Sequence, residues 1–528
     1  MISTVSVLAA GARFFGTLPW YVRRKVTPEV ARAMLRDRLA NRGRLLIDRI
    51  AQDVLSRKGS VYERLMAHAG CELGDVEAAV RQEGVEGALR QLLHAGIYLT
   101  VDEFKGRTPV RRGSLTLEVS PEQLRSPRAA YHLPASSGGS RSAGTPVLID
   151  FRFVRACAAN CLLQLQAWGG DDWVKGVWEA PGAGARFRLT KFAMFGEPPQ
   201  AWFTQIDPND RSIPAIFRWN TLALRWSSRL AGRTVPTAVT APLNDPTPIV
   251  EWLARTVQQG VTPVVFTFPG SAVRACLTAA EKRLSIAGTQ FLLAGEPITD
   301  ARVATVRQAG CGAIPRYGSM ECGAIGYGCP NGEHADDVHL LEHMHGLIAA
   351  DGAAPGLGVP ESTLFITALH AYSPFLMLNV SMGDQAHIVR RACGCAWDRL
   401  GLGVHLSSIR SFEKLTGGGV TFFGVEVIEI LERVLPAEFG GAPTDYQLVE
   451  EEGPTGETQL LLSVSPAVGA VDESRVAEVF LQRLTAISEV AAVMTRIWRD
   501  AGTVRVVRRP PAMSRAGKIL HFHISRKP

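Results

Sequence analysis

The sequence predicts an α/β protein: a large N-terminal α/β domain followed by a smaller α+β domain. Three observations predict it. At 528 residues the chain is longer than one ordinary core supports. In its middle, strand-like and helix-like runs alternate, which is the signature of a mostly parallel sheet. From Ser411 the texture changes to Gly-rich turns, a hairpin pattern and amphipathic helices. A hydrophobic content of 46% with 20% charged residues describes a folded globular chain.

The elements follow in order. The first run, MISTVSVLAAGARFFG, is too short to span a bilayer and lacks the leading basic residues of a secretory signal, so it reads as a docking helix. VTPEVARAMLRDRLANRGRLLIDRIAQDVL and GDVEAAVRQEGVEGALRQLLHAG carry apolar positions at helical spacing, making residues 1–130 a mainly helical lead-in. Further on, TPVVFTFP reads as a strand, SAVRACLTAAEKRLS as a helix, TQFLLAGEP as a strand, ARVATVRQAG as a helix and GAIPRYGSMECG as a strand. Beyond the change of texture, FEKLTGGGVTFFGVEVIEILERVL is a turn, strand and helix, and YQLVEEEGPTGETQLLLSV a hairpin around GPTGE. DESRVAEVFLQRLTAISEV is a helix and TVRVVRRP a strand. The predicted domains are 1–409 and 410–528, the second of ordinary domain size.

Composition excludes several classes. A formal charge of +7 is slight over this length and calls for no nucleic-acid partner, though it favours anionic small molecules. Nine cysteines, an odd number, do not make a disulfide framework, and no apolar run is long enough to span a membrane. The expected location is cytoplasmic. There is no GxSxG elbow. Seven of the ten tryptophans lie between Trp168 and Trp252, which suits packing and, for some, an aromatic-friendly pocket.

Residues 136 to 146, SSGGSRSAGTP, precede the apolar run VLIDFRFV. Glycines turn backbone N–H groups toward a ligand and hydroxyls add donors, so a phosphate is one guest; a surface linker has the same composition. No GK[ST] follows, so this is not a Walker loop. AGEPIT at 294, RYGSMECG at 316, SMGDQ at 381, SSIRSFEKLTGGGVTF at 407 and the tail PPAMSRAGKIL come after it in order.

This succession resembles the adenylate-forming superfamily of acyl-CoA synthetases, peptide-synthetase adenylation domains and luciferases, with the closest likeness to the phenylacetate–CoA ligase branch. The resemblance covers most of the chain and rests on motif order and spacing. It implies a large adenylation domain with a mobile C-terminal lid, ATP and Mg²⁺ as cofactors, and CoA as a co-substrate. Ser136, Ser137, Gly138, Gly139, Ser140 and Ser142 would hold the β,γ-phosphates. Tyr317, with Gly318 and Ser319 beside it, matches the aromatic residue on adenine, and Gly295 and Glu296 match the turn at the adenine pocket. Glu321 matches the Mg²⁺ carboxylate, Asp384 the ribose carboxylate, and Arg410 the arginine near the hinge. Lys518 matches the lid lysine that neutralises the reacting carboxylate and α-phosphate.

The implied function is activation of a carboxylic acid, aromatic or medium-sized and apolar, as its adenylate. The acyl group then passes to CoA, a carrier-protein thiol or an amine. A homodimer is among the assemblies this allows. Departures stand beside the matches. Val147 replaces the usual Lys after the loop's Pro, with Arg141 placed differently. Met320 replaces a Thr, and Phe412 replaces a polar hinge residue. They keep two alternatives open: a non-catalytic descendant used for binding or scaffolding, and adenylation of something other than a carboxylate.

Spacing adds a metal signal. Cys329 and His339 are separated by nine residues, and Cys393 and Cys395 form a Cys-x-Cys pair. Three thiolates and an imidazole suit a closed, structural tetrahedral Zn²⁺, and relatives of the phenylacetate–CoA ligase branch carry a similar pattern. Four ordinary buried residues are the alternative, and His334 and His343 are rival ligands. His370, His387, His405, His521 and His523 read as structural. Cys322, next to Glu321, reads as a small packing residue, with a nucleophilic thiol as the alternative.

Overall fold

A computed structural model describes residues 4–136, 146–179, 183–196, 198–207, 222, 224–226, 228–230, 232–350, 359–360, 362–411, 415–417, 420–422, 427, 429–442, 445–453, 458–486, 489–512 and 522–524. The chain opens with helices Thr4–Arg23, Pro28–Ala40, Arg42–Arg49, Val61–Ala69 and Leu73–His94. Thr27 caps the second of these by accepting from the Val30 N–H, and Pro28 sits at the position where its missing N–H costs nothing. Phe14, Leu18 and Val22 bury one face of the first helix, and Phe14 meets Phe151 at 5.4 Å between ring centroids. This is the docking helix expected from the sequence. No described helix is long and apolar enough to cross a membrane.

The lead-in is bolted to the strands of the large domain. Arg38 Nε donates to the His343 carbonyl at 3.0 Å, and the Asn379 amide donates to the Leu89 carbonyl at 2.8 Å. After it come a hairpin, β1 (Val110–Arg112) and β2 (Leu115–Leu117), and a second antiparallel pair, β3 (Leu133–Ser136) and β4 (Pro146–Ile149).

The centre is a twelve-stranded sheet. Its strands are β5 (Val174–Glu179), β6 (Ala201–Thr204), β7 (Ala238–Thr240), β8 (Pro263–Thr267), β9 (Gln290–Leu293) and β10 (Gly312–Ser319) in one half. The other half holds β11 (Gly323–Gly328), β12 (Val338–Leu340), β13 (His345–Ala349), β14 (Thr363–Ala368), β15 (Val380–Arg390) and β16 (Val404–Ser411). The spatial order is β13-β14-β15-β16-β12-β11-β10-β9-β8-β5-β6-β7. The expected parallel pairing holds from β7 to β10, where helices such as Pro269–Glu281 and Asp300–Gln308 return the chain. From β10 to β13 every pairing is antiparallel. β10 thus belongs to both halves.

Both faces of the parallel half are buried. Val177, Val264, Phe266 and Leu292 pack into one apolar cluster, while Trp178, Val265, Phe291 and Leu293 pack into another. That is why these strands read as almost unbroken apolar runs rather than alternating ones. The chain runs outward from β5 to β7 and then returns to place β8 on the other side of β5. The strand order therefore reverses between β5 and β8, and crevices at the carboxyl ends of such strands are where open α/β sheets bind ligands.

Beyond a short ribbon, β17 (Leu415–Gly417) with β18 (Val420–Phe422), lies a separate four-stranded sheet. β19 (Tyr446–Glu452) and β20 (Thr458–Val464) form the expected hairpin, flanked in parallel by β22 (Phe522–Ile524) and β21 (Val504–Arg508). Helices Glu473–Thr485 and Glu489–Ala501 bury Val476, Phe480, Ile497 and Trp498.

Candidate active site

The end of β10 is where the motif residues gather. The register against β11 shifts between Tyr317 and Gly318, and a Cβ on Gly318 would run into the Gly323 carbonyl. Only glycine fits that close approach. The bulge turns Tyr317 so that its hydroxyl donates to Asp384 Oδ2 at 2.9 Å. Burial, and then the Asp384 charge, hold the Tyr317 hydroxyl well above its ordinary pKa, so it stays a donor. Asp384 follows Gly383, whose φ of +80° bends β15, and it pairs in register with Ser411 of β16.

An open cleft with about 720 Å³ of empty space is lined by Gly295, Glu296, Tyr317, Gly318 and Asp384, together with Arg316, Asp336, Ile409 and Ser411. Five of the sequence-predicted residues therefore share one cleft although they come from three separate segments. Gly295 turns there with φ +87°, and Glu296 accepts from the Gly270 N–H at 2.9 Å and from Arg302 at 3.2 Å. Ser319 ends β10 with its hydroxyl 3.3 Å from the Cys322 thiol. Burial pushes that thiol up to about 12, which keeps it protonated at neutral pH and removes it as a nucleophile.

Glu321 is buried and forms an ion pair of 2.5 Å with Lys105, which stands just past the short helix Val101–Phe104 in the lead-in. Nothing in the sequence signals Lys105, because only the folded chain brings the lead-in against the β10–β11 turn. Arg410 does not line the cleft; it donates to Asp336 Oδ2 at 2.8 Å. The same carboxylate accepts the N–H groups of Ser408 and Ile409 at 3.0 and 2.7 Å, and so holds Ser408 at a φ of +53°. Asp336 is a site residue that sequence reasoning missed. Ser136 ends β3, and Val147 is buried on β4. Ser137, Gly138, Gly139, Ser140, Ser142, Phe412 and Lys518 lie outside the described residues.

A second cluster sits on the same strands. Cys329 and Cys393 sulfurs are 3.6 Å apart, and His339 Nε2 lies 3.5 Å from Cys393 Sγ and 3.1 Å from Cys395 Sγ. His339 Nδ1 donates to the Leu402 carbonyl at 2.7 Å, which fixes the tautomer that leaves Nε2 as the ligand atom. Bonds of about 2.3 Å to sulfur and about 2.0 Å to nitrogen give tetrahedral edges of roughly 3.5–3.8 Å; the 3.6 and 3.5 Å separations match a zinc site, and the 3.1 Å one to Cys395 is shorter. His405, expected from the sequence to be structural, is also here: its ring lies 4.0 Å from that of His339, and its donor is grouped with those of Cys329, His339 and Cys393. Its Nδ1 is held by Asp337 at 2.7 Å, and its buried Nε2 has no hydrogen-bond partner among the described residues. His334 is exposed, and the His343 Nε2 is taken by Asn160 at 2.8 Å, so neither rival belongs to the cluster.

The fold is similar to that of a solved CoA ligase. A solved structure of 2-hydroxyisobutyryl-CoA ligase, in complex with 2-HIB-AMP and CoA in the thioesterification state, covers 96% of this chain and 92% of its own at 16% identity and a TM-score of 0.51. The amide bond synthetase McbA from Marinactinospora thermotolerans covers 78% of this chain and 71% of its own at 14% identity and a TM-score of 0.39. The anthranilate CoA ligase AuaEII, in complex with anthranoyl-AMP, covers 73% and 65% at 12% identity and a TM-score of 0.32. No family model and no curated protein matches the chain.

Proposed function

We propose that this chain is an ATP-dependent ligase that activates a carboxylic acid as its acyl-adenylate and transfers the acyl group to a thiol, CoA or a carrier protein, or to an amine. The observation that carries the reading is the meeting of Gly295, Glu296, Tyr317 and Asp384 in one cleft at the end of β10. In this reading a carboxylate oxygen bonds to the α-phosphorus of ATP and the bond to pyrophosphate breaks. Tyr317 packs on adenine, Asp384 accepts from the ribose hydroxyls, and Ser136 to Ser142 hold the outer phosphates. Lys518 offsets the charge that develops as the two anions meet. Glu321 would hold Mg²⁺, which neutralises phosphate charge when bound. Cys329, His339, Cys393 and Cys395 would hold a structural Zn²⁺. Residues 1–409 form the adenylation domain and 410–528 the lid that swings between half-reactions, in a cytoplasmic enzyme.

The test is pyrophosphate release from ATP and Mg²⁺ over a panel of acids, with and without CoA. Turnover with at least one acid is expected, and Lys518→Ala should slow adenylation by on the order of 10²–10³-fold. Full-rate adenylation by that variant rejects the role of Lys518. One observation favours a second reading, a fold retained for binding alone: the Glu321 carboxylate already carries Lys105 as its cation. Calorimetry separates the two, because a chain that binds no ATP at millimolar concentration is not a ligase.

A further inference from the structure

At the carboxyl ends of β5 and β8, where the strand order reverses, basic side chains crowd one aromatic ring. The Arg188 guanidinium lies 4.2 Å from the centroid of Phe266, the Lys191 ammonium 5.0 Å and the Arg316 guanidinium 5.7 Å. The nearby carboxylate is Glu179, whose Oε2 is taken by Arg188 at 2.8 Å. Lys191 is 1% exposed, and among the described residues neither a carboxylate nor a carbonyl accepts from its ammonium. Among the described residues the Glu179 Oε1 acceptor and the Arg316 Nε donor are buried without hydrogen-bond partners.

Native interiors rarely leave so many polar atoms unmatched in one place, and a buried cation without an anion is strongly unfavourable. The Phe266 face compensates only in part. Three cations share one carboxylate here, so the cluster carries an excess of positive charge that a further anion would offset. Burial lowers the Lys191 pKa, with the positive charges of Arg316 and Arg188 adding to it, in the direction an acceptor would reverse.

The position identifies which anion. Arg316 lines the cleft, one residue before Tyr317. Consecutive strand residues point to opposite faces, so Arg316 faces the Phe266 side while Tyr317 turns toward Asp384. The nucleotide belongs to the Tyr317 side. A group reaching Lys191 therefore belongs to the other substrate.

We propose that the acid activated by this chain carries a second anionic group, a distal carboxylate held by Lys191 of the helix Ala183–Ala193 and Arg316 of β10, beside the carboxyl ends of β5 and β8. The proposal rests on the ligase reading and departs from the apolar acid expected from the sequence. Lys191 and Arg316 are then specificity-determining residues: they accept a dicarboxylic acid and reject its monoacid analogue, whose apolar end would leave both cations unpaired.

The experiment compares matched pairs, benzoate with isophthalate and hexanoate with adipate, extended to shorter and longer members of both series. In pyrophosphate release the intact chain should favour a diacid over its monoacid in kcat/KM. Lys191→Met should lower that ratio on the order of 10–100-fold through KM, the loss expected for a charged hydrogen bond, and Lys191→Arg should restore most of it. A chain that adenylates monoacids better than every diacid overturns the proposal and leaves the ligase reading standing. So does a folded Lys191→Met variant with an unchanged ratio. If no acid is adenylated, the ligase reading fails, and calorimetry with the same acids still decides this one. Diacid binding to the intact chain that weakens in Lys191→Met supports it; no diacid binding more tightly than its monoacid overturns it.

Discussion

The cleft and the cysteine–histidine cluster are built on the same strands and to opposite ends. β16 carries His405 near its start and Ser411 at its end, six residues and roughly 20 Å along an extended strand. β12 places Val338 in the cleft and His339, its neighbour, in the cluster. In the cluster the donor atoms point at one another and their outer nitrogens are tied to backbone or carboxylate. In the cleft the glycines, the bulge and Asp384 leave surface open to a ligand. Even the carboxylates behind them are consecutive: Asp336 holds Arg410 and the bend at Ser408, while Asp337 holds His405 and Arg391. The difference teaches that one piece of sheet can carry a closed anchor and an open site, provided that alternate side chains divide the work.

The widest separation should come from disabling the anchor. Cys395→Ser, or removal of metal by a chelator, should destabilise the chain by about 3–5 kcal/mol, seen as a fall in Tm together with loss of near-stoichiometric zinc. A chain that holds no zinc and keeps its Tm would break the comparison. Next, Asp384→Ala should weaken ATP binding on the order of 10–100-fold in calorimetry, because two hydrogen bonds to a charged acceptor are lost, with only a small change in Tm. A large Tm loss there would make the cleft a structural feature like the anchor.

The smallest effect, per residue and per unit of pH, comes from histidines in neither site. Burial holds His345 down at about 4, and pushes His343 and His370 well below the usual range. Their unfolded pKa is near 6.5, so below it the unfolded chain binds more protons than the folded one. Stability is then full above about pH 6.5 and declines toward pH 4, by up to about 1.4 kcal/mol per pH unit for each such histidine. Denaturant titrations across that range should give this slope with and without chelator. A slope that vanishes in metal-free protein would assign it to the anchor instead.

Much of this was legible in the sequence where the reason is local. The alternation from Pro263 to Ser319 appears element by element, because buried strands and amphipathic helices carry their own periodicity. The hairpin around 453–457 was legible from its turn residues. Gly295, Tyr317 and Asp384 were legible through motif order, and they do meet. What was hidden depends on chain segments far apart. Lys105 reaches Glu321 across more than two hundred residues, and Asp336 matters only because the β16 backbone bends over it. His405 looked ordinary until β12 and β16 paired and set it against His339. Arg188, Lys191 and Arg316 are inconspicuous in the sequence; their excess charge exists only when one helix and β10 meet over the phenylalanine of β8.

The adjacency of Asp336 and Asp337 sets a rule for how this gene can drift. Both stand in the turn that leads into β12, where side chains alternate, so an insertion or deletion of one residue that slips this register exchanges the two faces. Both carboxylates would then meet the wrong partners at once. Length changes before Val338 should survive only where the exposed tip, Asn331 to His334, absorbs them and the pairing of Tyr327 with His339 is kept. Counting residues between Cys329 and His339 in other chains of this kind is therefore a direct reading of whether both sites were inherited together.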